Sequence, residues 1–345
     1  MSTVRRAIKS GALQAVQVGG RQLRVSISAL ETYLRQPFVD ATSPVQTDVK
    51  SSAGAADECH SFASGITAKK LRWHLLHGDA RSCAAAIEHG SVDCIVTSPP
   101  YYWQRDYEVD GQIGHESSIE GYVEALVTVF DALRPALAED GLIFLNLGDT
   151  YYSAKGKPHG RDGKHNGRQM MRKHLRAVDG PGLGLPRKSM IGIPWRVAIA
   201  LQSRGWTLRS SIIWQRPGTL PEPTAHDRPW RTYENIFMLS KGPKYYFNRA
   251  ALGEEEDIWK LVARPENPGA HFAPYPKELV HKCLAVGCKD GGTVLDPFVG
   301  SGTTMLAALQ TGRHAVGIEL NKRYCEFLVG RIQKEFGKHR GQRGG

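Results

Sequence analysis

One stretch near the end of the chain restricts the fold more than any other. Thr293-Val-Leu295 is a short apolar run, Asp296-Pro-Phe-Val-Gly-Ser-Gly-Thr-Thr304 follows directly, and a helical pattern opens near Thr303. Glycines at 300 and 302 let the backbone come close to a ligand, and amides at the start of the helix face that ligand's polar end. A strand, 315–319, and a second helix, 322–336, complete the unit. This is the layout of a nucleotide-type pocket, in which an acidic residue ending the second strand accepts hydrogen bonds from both ribose hydroxyls. Glu319 stands at that point.

From Leu71 onward the pattern alternates in the same way. Residues 71–77, 92–96 and 142–147 read as apolar strands, and 206–214 and 234–239 as an antiparallel pair joined by a Pro-rich loop. A helix over 118–134 carries Val123, Leu126, Val127, Phe130 and Leu133 at spacings of three and four and stops near Pro135. Pro194 opens a helix over 195–204 and Gly205 closes it. Such alternation predicts an α/β fold, a mainly parallel sheet covered by helices on both faces.

A second motif lies almost two hundred residues before the glycine loop. Thr97-Ser98-Pro99-Pro100-Tyr101 follows the strand 92–96. It resembles the catalytic motif of amino-group DNA methyltransferases, and Asp296 to Thr304 resembles their S-adenosyl-L-methionine loop. With the catalytic motif first, the chain resembles the permuted β group of that family over 71–336. The resemblance implies a Rossmann-like methyltransferase core with Asp296, Pro297, Phe298, Gly300, Gly302 and Thr303 in the cofactor site. Asp296, Phe298 and Gly300 would line its methionine side. Ala270-His-Phe-Ala-Pro-Tyr-Pro276 resembles the segment that closes over the cofactor, which makes His271 and Phe272 either contacts or packing residues. His77-Gly-Asp79 matches a further family motif and places Asp79 toward the adenine.

The chemistry expected of such a turn is specific. An exocyclic amine attacks a sulfonium methyl only when its lone pair is drawn out of conjugation, and two acceptors aimed at its hydrogens achieve this. The Ser98 hydroxyl and the Pro99 carbonyl suit that role, Pro99 and Pro100 stiffen the turn, and Tyr101 offers a face to a base removed from the duplex. Within the family, serine at 98 resembles the cytosine-directed members, as do Ile193-Pro-Trp-Arg196 and the 271–276 segment; adenine-directed relatives more often carry Asp or Asn there. The expected activity is therefore N4-cytosine methylation of double-stranded DNA within a restriction-modification system, with adenine-N6 methylation as the rival. Methylation of RNA or of protein glutamine, and a DNA-binding regulator with an inactive methyltransferase body, are further alternatives. No strong zinc pattern occurs, so no metal is expected. Cys94, in an apolar strand, reads as packing rather than as a carbon-methylating nucleophile.

A formal net charge of +11 favours a polyanionic partner. Basic residues gather in 153–188, where Asp162 and Asp179 are the only acids. Read as an insertion beside the catalytic turn, this run neutralises DNA phosphates through residues such as Lys164, Arg168, Arg172 and Lys173; the bland reading is a solvated charge run. Arg228, Trp230 and Arg231 are further DNA-contact candidates.

The division expected is 1–36, 37–69 as flexible linker, 70–338 as methyltransferase domain and 339–345 as disordered tail. Residues 2–36 resemble the latter half of an excisionase-like winged helix lacking its first helix: a short helix to Gly11, a hairpin over 16–25 and a capped helix over 29–35. Six cysteines without a CxxC pair read as reduced thiols, and no stretch resembles a signal peptide or membrane span. These features suit a cytoplasmic protein with no membrane contact, and the family resemblance further implies a bacterial or phage-encoded, nucleoid-associated enzyme, monomeric or dimeric, with a cognate restriction endonuclease as functional partner.

Overall fold

Each strand of the core owes its place to which of its faces are apolar, and the central ones are apolar on both. The computed structural model describes residues 59–107, 109–154, 177–218, 225–262 and 275–337, with two short strands, β1 (Val16–Val18) and β2 (Gln22–Arg24). β1 and β2 belong to a separate unit, Met1–Ser52, and pair antiparallel, Val16 opposite Arg24. The helices expected at 2–10 and 29–35 lie outside the described residues, as do 37–58, 155–176 and the tail from 338.

The second unit, Ala53–Gly345, holds the remaining described elements. Its elements run β3 (His60–Ile66), β4 (Arg72–His77), α1 (Ala80–Cys83), β5 (Val92–Thr97), α2 (Ile119–Leu133), β6 (Leu137–Leu147), α3 (Ile193–Ser203), β7 (Thr207–Gln215), β8 (Tyr233–Ser240), α4 (Arg249–Leu252), β9 (Ile258–Lys260), α5 (Lys277–Gly287), β10 (Thr293–Asp296), α6 (Thr303–Gln310), β11 (His314–Glu319) and α7 (Lys322–Phe336). The nine strands form one sheet in the order β3-β4-β11-β10-β5-β6-β8-β7-β9. Neighbours from β4 through β6 run parallel, β7 and β8 form the expected antiparallel pair, and β3 lies antiparallel on β4.

Helices cover both faces. α2 and α3 seat Leu126, Phe130, Val197 and Leu201 against one side of the sheet, while α5, α6 and α7 seat Leu284, Leu306, Leu328 and Ile332 against the other. Local chemistry sets the helix starts. Ser118 Oγ accepts from the Gly121 amide and opens α2, as a capping serine does. α3 begins at Gly192 in the left-handed conformation, and the buried Asp149 carboxylate accepts from the amides of Gly192 and Ile193. A carboxylate at the positive end of a helix is favourable there.

Three expectations are corrected. Residues 60–66, within the stretch expected to be linker, form the edge strand β3. Its side chains are mostly exposed or half-buried, so its sequence lacks the apolar alternation that marks a strand, and it is held by its ladder with β4. β6 begins at Leu137, not Leu142, because Val92 of β5 and Leu137 pair before a register shift. Cys59, beside β3, and Cys83, on α1, are joined in a disulfide, so the reduced-thiol expectation holds only for the buried Cys94, Cys283, Cys288 and Cys325. Burial pushes the Cys94 thiol well up, which suits a packing residue. No helix of the described residues is long and apolar enough to cross a membrane.

Candidate active site

The two motifs meet because β5 and β10 are parallel neighbours whose carboxyl ends lie side by side. Ligands in open α/β sheets bind beyond those ends. Thr97 Oγ1 donates to Asp296 Oδ1 at 2.7 Å across 199 residues of chain. A cavity of about 530 Å³ opens there, lined by Asp79, Ser98, Pro99, Pro100, Tyr101, Asp296, Pro297, Phe298, Gly300, Thr303 and Glu319 among others.

At the glycine-loop end, Asp296 is 2% exposed and its carboxylate is saturated. It accepts from Thr97, from Thr304 Oγ1 at 2.6 Å, from the Phe298 amide at 3.0 Å and from the Tyr275 hydroxyl at 3.1 Å. Burial raises its pKa against the pull of these donors. Asp296 thus braces the loop against β5, α6 and the 275 segment instead of presenting a free carboxylate. Glu319 differs. Its Oε2 accepts from the Gly300 amide and its Oε1 from the Asn321 amide, each at 2.8 Å. Each oxygen keeps acceptor capacity for a hydroxyl donor. Burial, reinforced by Asp296, pushes its carboxyl up to about 7.

The two glycines serve different ends. Gly300 has φ +50°, and the nearest atom to an added Cβ is the Phe298 carbonyl oxygen at 3.9 Å, so its surroundings are open. Gly302, at φ +88°, would place a Cβ 1.9 Å from Leu328 Cδ1. Its close approach to Leu328 shows a packing role, with α6 seated against α7. Asp79 lines the cavity and caps α1, but its carboxylate is engaged by Arg81 through the amide, Nε and Nη2 at 2.6–2.8 Å. Burial raises its pKa and the Arg81 bonds outweigh this, holding it below the usual carboxylate range. The open glycine loop and the two-sided acceptor Glu319 fit a ribose-bearing cofactor. Asn321, which caps α7, Tyr324 of α7, and Tyr107 and Gln112 of the 102–115 loop add to the lining. Nothing local in the sequence marks these last four.

At the catalytic turn, the Tyr122 hydroxyl of α2 donates to the Pro100 carbonyl at 2.8 Å and pins the two prolines. A Cβ on Gly148 would lie 2.5 Å from Tyr101 Cε2, so only glycine allows the tyrosine ring its place. The Tyr101 hydroxyl is tied to Ser98, Asn146 and Glu234, and burial followed by the Glu234 charge pushes the phenol well up. Asn146, Arg216 and Glu234 line the same end and were missed in the sequence reading. They become neighbours only when β8 inserts beside β6 and pairs with β7.

Tyr151 bridges to Met190, and the Ser153 amide donates to the Val178 carbonyl at 2.8 Å, so the basic segment leaves and returns through a paired neck. Arg228 stacks over the Tyr151 ring at 3.8 Å, Arg231 Nη1 donates to the Asp149 carbonyl, and Trp230 is 53% exposed. Lys164, Arg168, Arg172, Lys173, His271 and Phe272 lie outside the described residues.

A Rossmann-like sheet with a glycine-loop cofactor pocket abutting a Ser-Pro-Pro-Tyr turn defines a methyltransferase. Residues 92–330 match the model of the N6/N4 DNA methylase family. The chain is 44% identical over 270 residues to the Type II methyltransferase M.Cfr9I of Citrobacter freundii, covering 76% of this chain and 88% of that one. It is 40% identical to M.SmaI of Serratia marcescens, covering 75% and 90%. Among solved structures, the PvuII DNA methyltransferase (cytosine-N4-specific) superposes with a TM-score of 0.59 at 18% identity, covering 78% of this chain and 90% of that one. A putative DNA modification methylase from Thermus thermophilus, complexed with S-adenosyl-L-methionine, does so at 0.53 and 24%, covering 76% and 93%. The chain belongs to the N6/N4 DNA methylase family, whose methyl donor is S-adenosyl-L-methionine.

Proposed function

We propose that this enzyme methylates the N4 amine of cytosine in double-stranded DNA, as the modification partner of a restriction endonuclease in a bacterial or phage cytoplasm. The observation that carries the reading is Ser98 at the cavity wall, a neutral acceptor beside the rigid Pro99-Pro100 turn. Ser98 Oγ and the Pro99 carbonyl hold the two amine hydrogens, and Tyr101 receives the flipped base. When bound, S-adenosyl-L-methionine supplies an electrophilic methyl group. Glu319 accepts from its ribose hydroxyls, Gly300 admits it close to the backbone, Pro297, Phe298 and Thr303 line its bed, and His271 and Phe272 close over it.

Relatives named as Type II methyltransferases support the restriction-modification setting. The catalytic turn preceding the cofactor loop supports membership of the permuted β group. DNA is held by the basic segment 153–188 and by Arg228, Trp230 and Arg231. Adenine-N6 methylation uses the same geometry and is the competing outcome. Nucleoside mass spectrometry of DNA from cells expressing the enzyme decides: N4-methylcytosine is expected, and N6-methyladenine would overturn the base assignment.

A further inference from the structure

Behind the catalytic turn runs a buried chain of polar groups that neither cofactor binding nor base stacking requires. The Ser98 hydroxyl donates to the Tyr101 hydroxyl at 3.1 Å, and the Tyr101 hydroxyl donates to Glu234 Oε2 at 2.6 Å. Asn146 Nδ2 donates to both the Tyr101 hydroxyl and Glu234 Oε2, each at 2.9 Å. Arg216 Nη1 donates to Glu234 Oε1 at 2.8 Å, and the side chains of Arg216 and Glu234 are 18% and 10% exposed.

The direction of this chain follows from counting hydrogens. A phenol has one hydrogen and two lone pairs. The Tyr101 hydrogen goes to the carboxylate, so its oxygen receives from Asn146 and from Ser98. The Ser98 proton therefore points inward, and Ser98 Oγ, which also receives a longer contact from Asn146 Nδ2 at 3.4 Å, keeps a lone pair for a target amine. A buried ion pair contributes little to stability over apolar residues of the same volume. Its place two hydrogen bonds from Ser98 is explained by the chemistry there.

We infer that Glu234 is the terminal proton acceptor of the methylation, reached from the target amine through Ser98 and Tyr101; this rests on the amine chemistry proposed for Ser98. The amine nitrogen forms a bond to the methyl carbon as the carbon–sulfur bond breaks and its electron pair stays on sulfur. The nitrogen is then cationic and holds one proton too many. That proton passes to Ser98 Oγ, the Ser98 proton to the Tyr101 oxygen, and the Tyr101 proton to Glu234 Oε2. Both hydroxyls end neutral, the methylated amine ends neutral, and the carboxylate becomes a carboxylic acid that returns its proton to water after turnover. An N-protonated aryl amine is a far stronger acid than a carboxylic acid, so the relay runs downhill. Burial disfavours ionisation of Tyr101, so the ring passes a proton without resting as phenolate. Glu234 touches no reacting atom and acts as a positioning residue that aims the chain and receives its proton.

The test is single-turnover methylation of a duplex the parent enzyme modifies, with saturating cofactor, in H2O and D2O. Parent, E234Q, E234D, Y101F and the double variant Y101F/E234Q are compared, with cofactor affinity read by calorimetry. Loss of a proton acceptor is expected to slow E234Q by about a hundredfold or more. Cofactor affinity stays at the parent value, E234D recovers part of the rate, and the double variant is no slower than Y101F. The solvent isotope effect of the parent shrinks in E234Q. An E234Q rate within about threefold of the parent, or losses that multiply in the double variant, overturns the relay. Should E234Q lose cofactor binding through misfolding, Y101F decides, because it leaves the Glu234–Arg216 pair in place: a parent-like rate overturns the relay and a loss of about a hundredfold sustains it. A parent that methylates no exocyclic amine overturns the functional reading first, and the relay with it.

Discussion

Gly300 and Gly302 sit two residues apart in one loop, yet alanine at each is expected to fail in a different assay. At Gly302, φ is +88° and the new Cβ would lie 1.9 Å from Leu328 Cδ1. The left-handed conformation costs an L-residue about 1–2 kcal/mol, and forcing a methyl into a packed contact costs about 1–3 kcal/mol. Gly302→Ala should therefore lose about 2–5 kcal/mol of stability, a large share of the roughly 5–15 kcal/mol typical of a folded domain. At Gly300, φ is +50° and, its chain neighbours aside, the nearest atom to an added Cβ is 3.9 Å away, so only the conformational term applies. Gly300→Ala should lose about 1–2 kcal/mol of stability, but its methyl, and the larger side chain of Gly300→Val still more, stands where a ligand approaches. Denaturant unfolding of the cofactor-free proteins reads the first effect and calorimetry with S-adenosyl-L-methionine the second. Leu328→Ala supplies an internal control: it removes the clashing methyl, so the Gly302→Ala/Leu328→Ala pair should be less destabilised than the sum of the singles by about 1–3 kcal/mol. Equal stability losses at 300 and 302, strict additivity with Leu328→Ala, or parent-like cofactor affinity in Gly300→Val would refute the division of roles.

Ser98→Ala should leave cofactor affinity near the parent value while turnover falls by orders of magnitude, because the lost bond matters mainly in the transition state; equal losses in both would make Ser98 a packing residue. Glu319, raised from 4.5 to about 7 in the fold, binds more protons folded than unfolded between those values, so its contribution to stability falls as pH rises across that window. Its ionised form is the better acceptor for ribose hydroxyls, so cofactor affinity should rise as pH passes about 7, and Glu319→Gln should abolish both trends in calorimetric and unfolding titrations. Replacing Lys164, Arg168, Arg172 and Lys173 by Ala should make the slope of log K against log salt for DNA shallower by roughly 0.9 per lost phosphate contact, whereas an unchanged slope would make the run a solvated surface. Removing residues 1–52 should leave methylation largely intact, while removing 1–69 also deletes β3 and Cys59 and should lower the unfolding midpoint; equal midpoints would mean that β3 adds nothing to the sheet.

Elements whose physics is local could be read directly from the residues. Glycines between a strand and a helix, a Pro-Pro turn after an apolar strand, Ser118 before an amphipathic run and Pro194 opening a helix each act within a few residues of themselves. β5, α2, α3, β10, α6 and α7 were legible for that reason, as was the pairing of β7 with β8 across a Pro-rich loop. Edge strands were not: β3 and β9 are held by backbone ladders to a neighbour and carry little apolar pattern of their own. The site divided along the same line. Ser98, Glu319 and the loop glycines announce themselves by motif and spacing, whereas Asn146 on β6, Glu234 on β8 and Arg216 just past the end of β7 are isolated polar residues. Only the insertion of β8 between β6 and β7 brings them to Tyr101. What each motif residue does with its polar atoms likewise depends on the folded neighbours. Asp296 spends its carboxylate on four internal donors, Asp79 on Arg81, and Gly302 answers to Leu328, while Glu319 keeps acceptor capacity toward the cavity. Which partners a buried group finds depends on residues far away in the chain, and those meet only when the sheet closes.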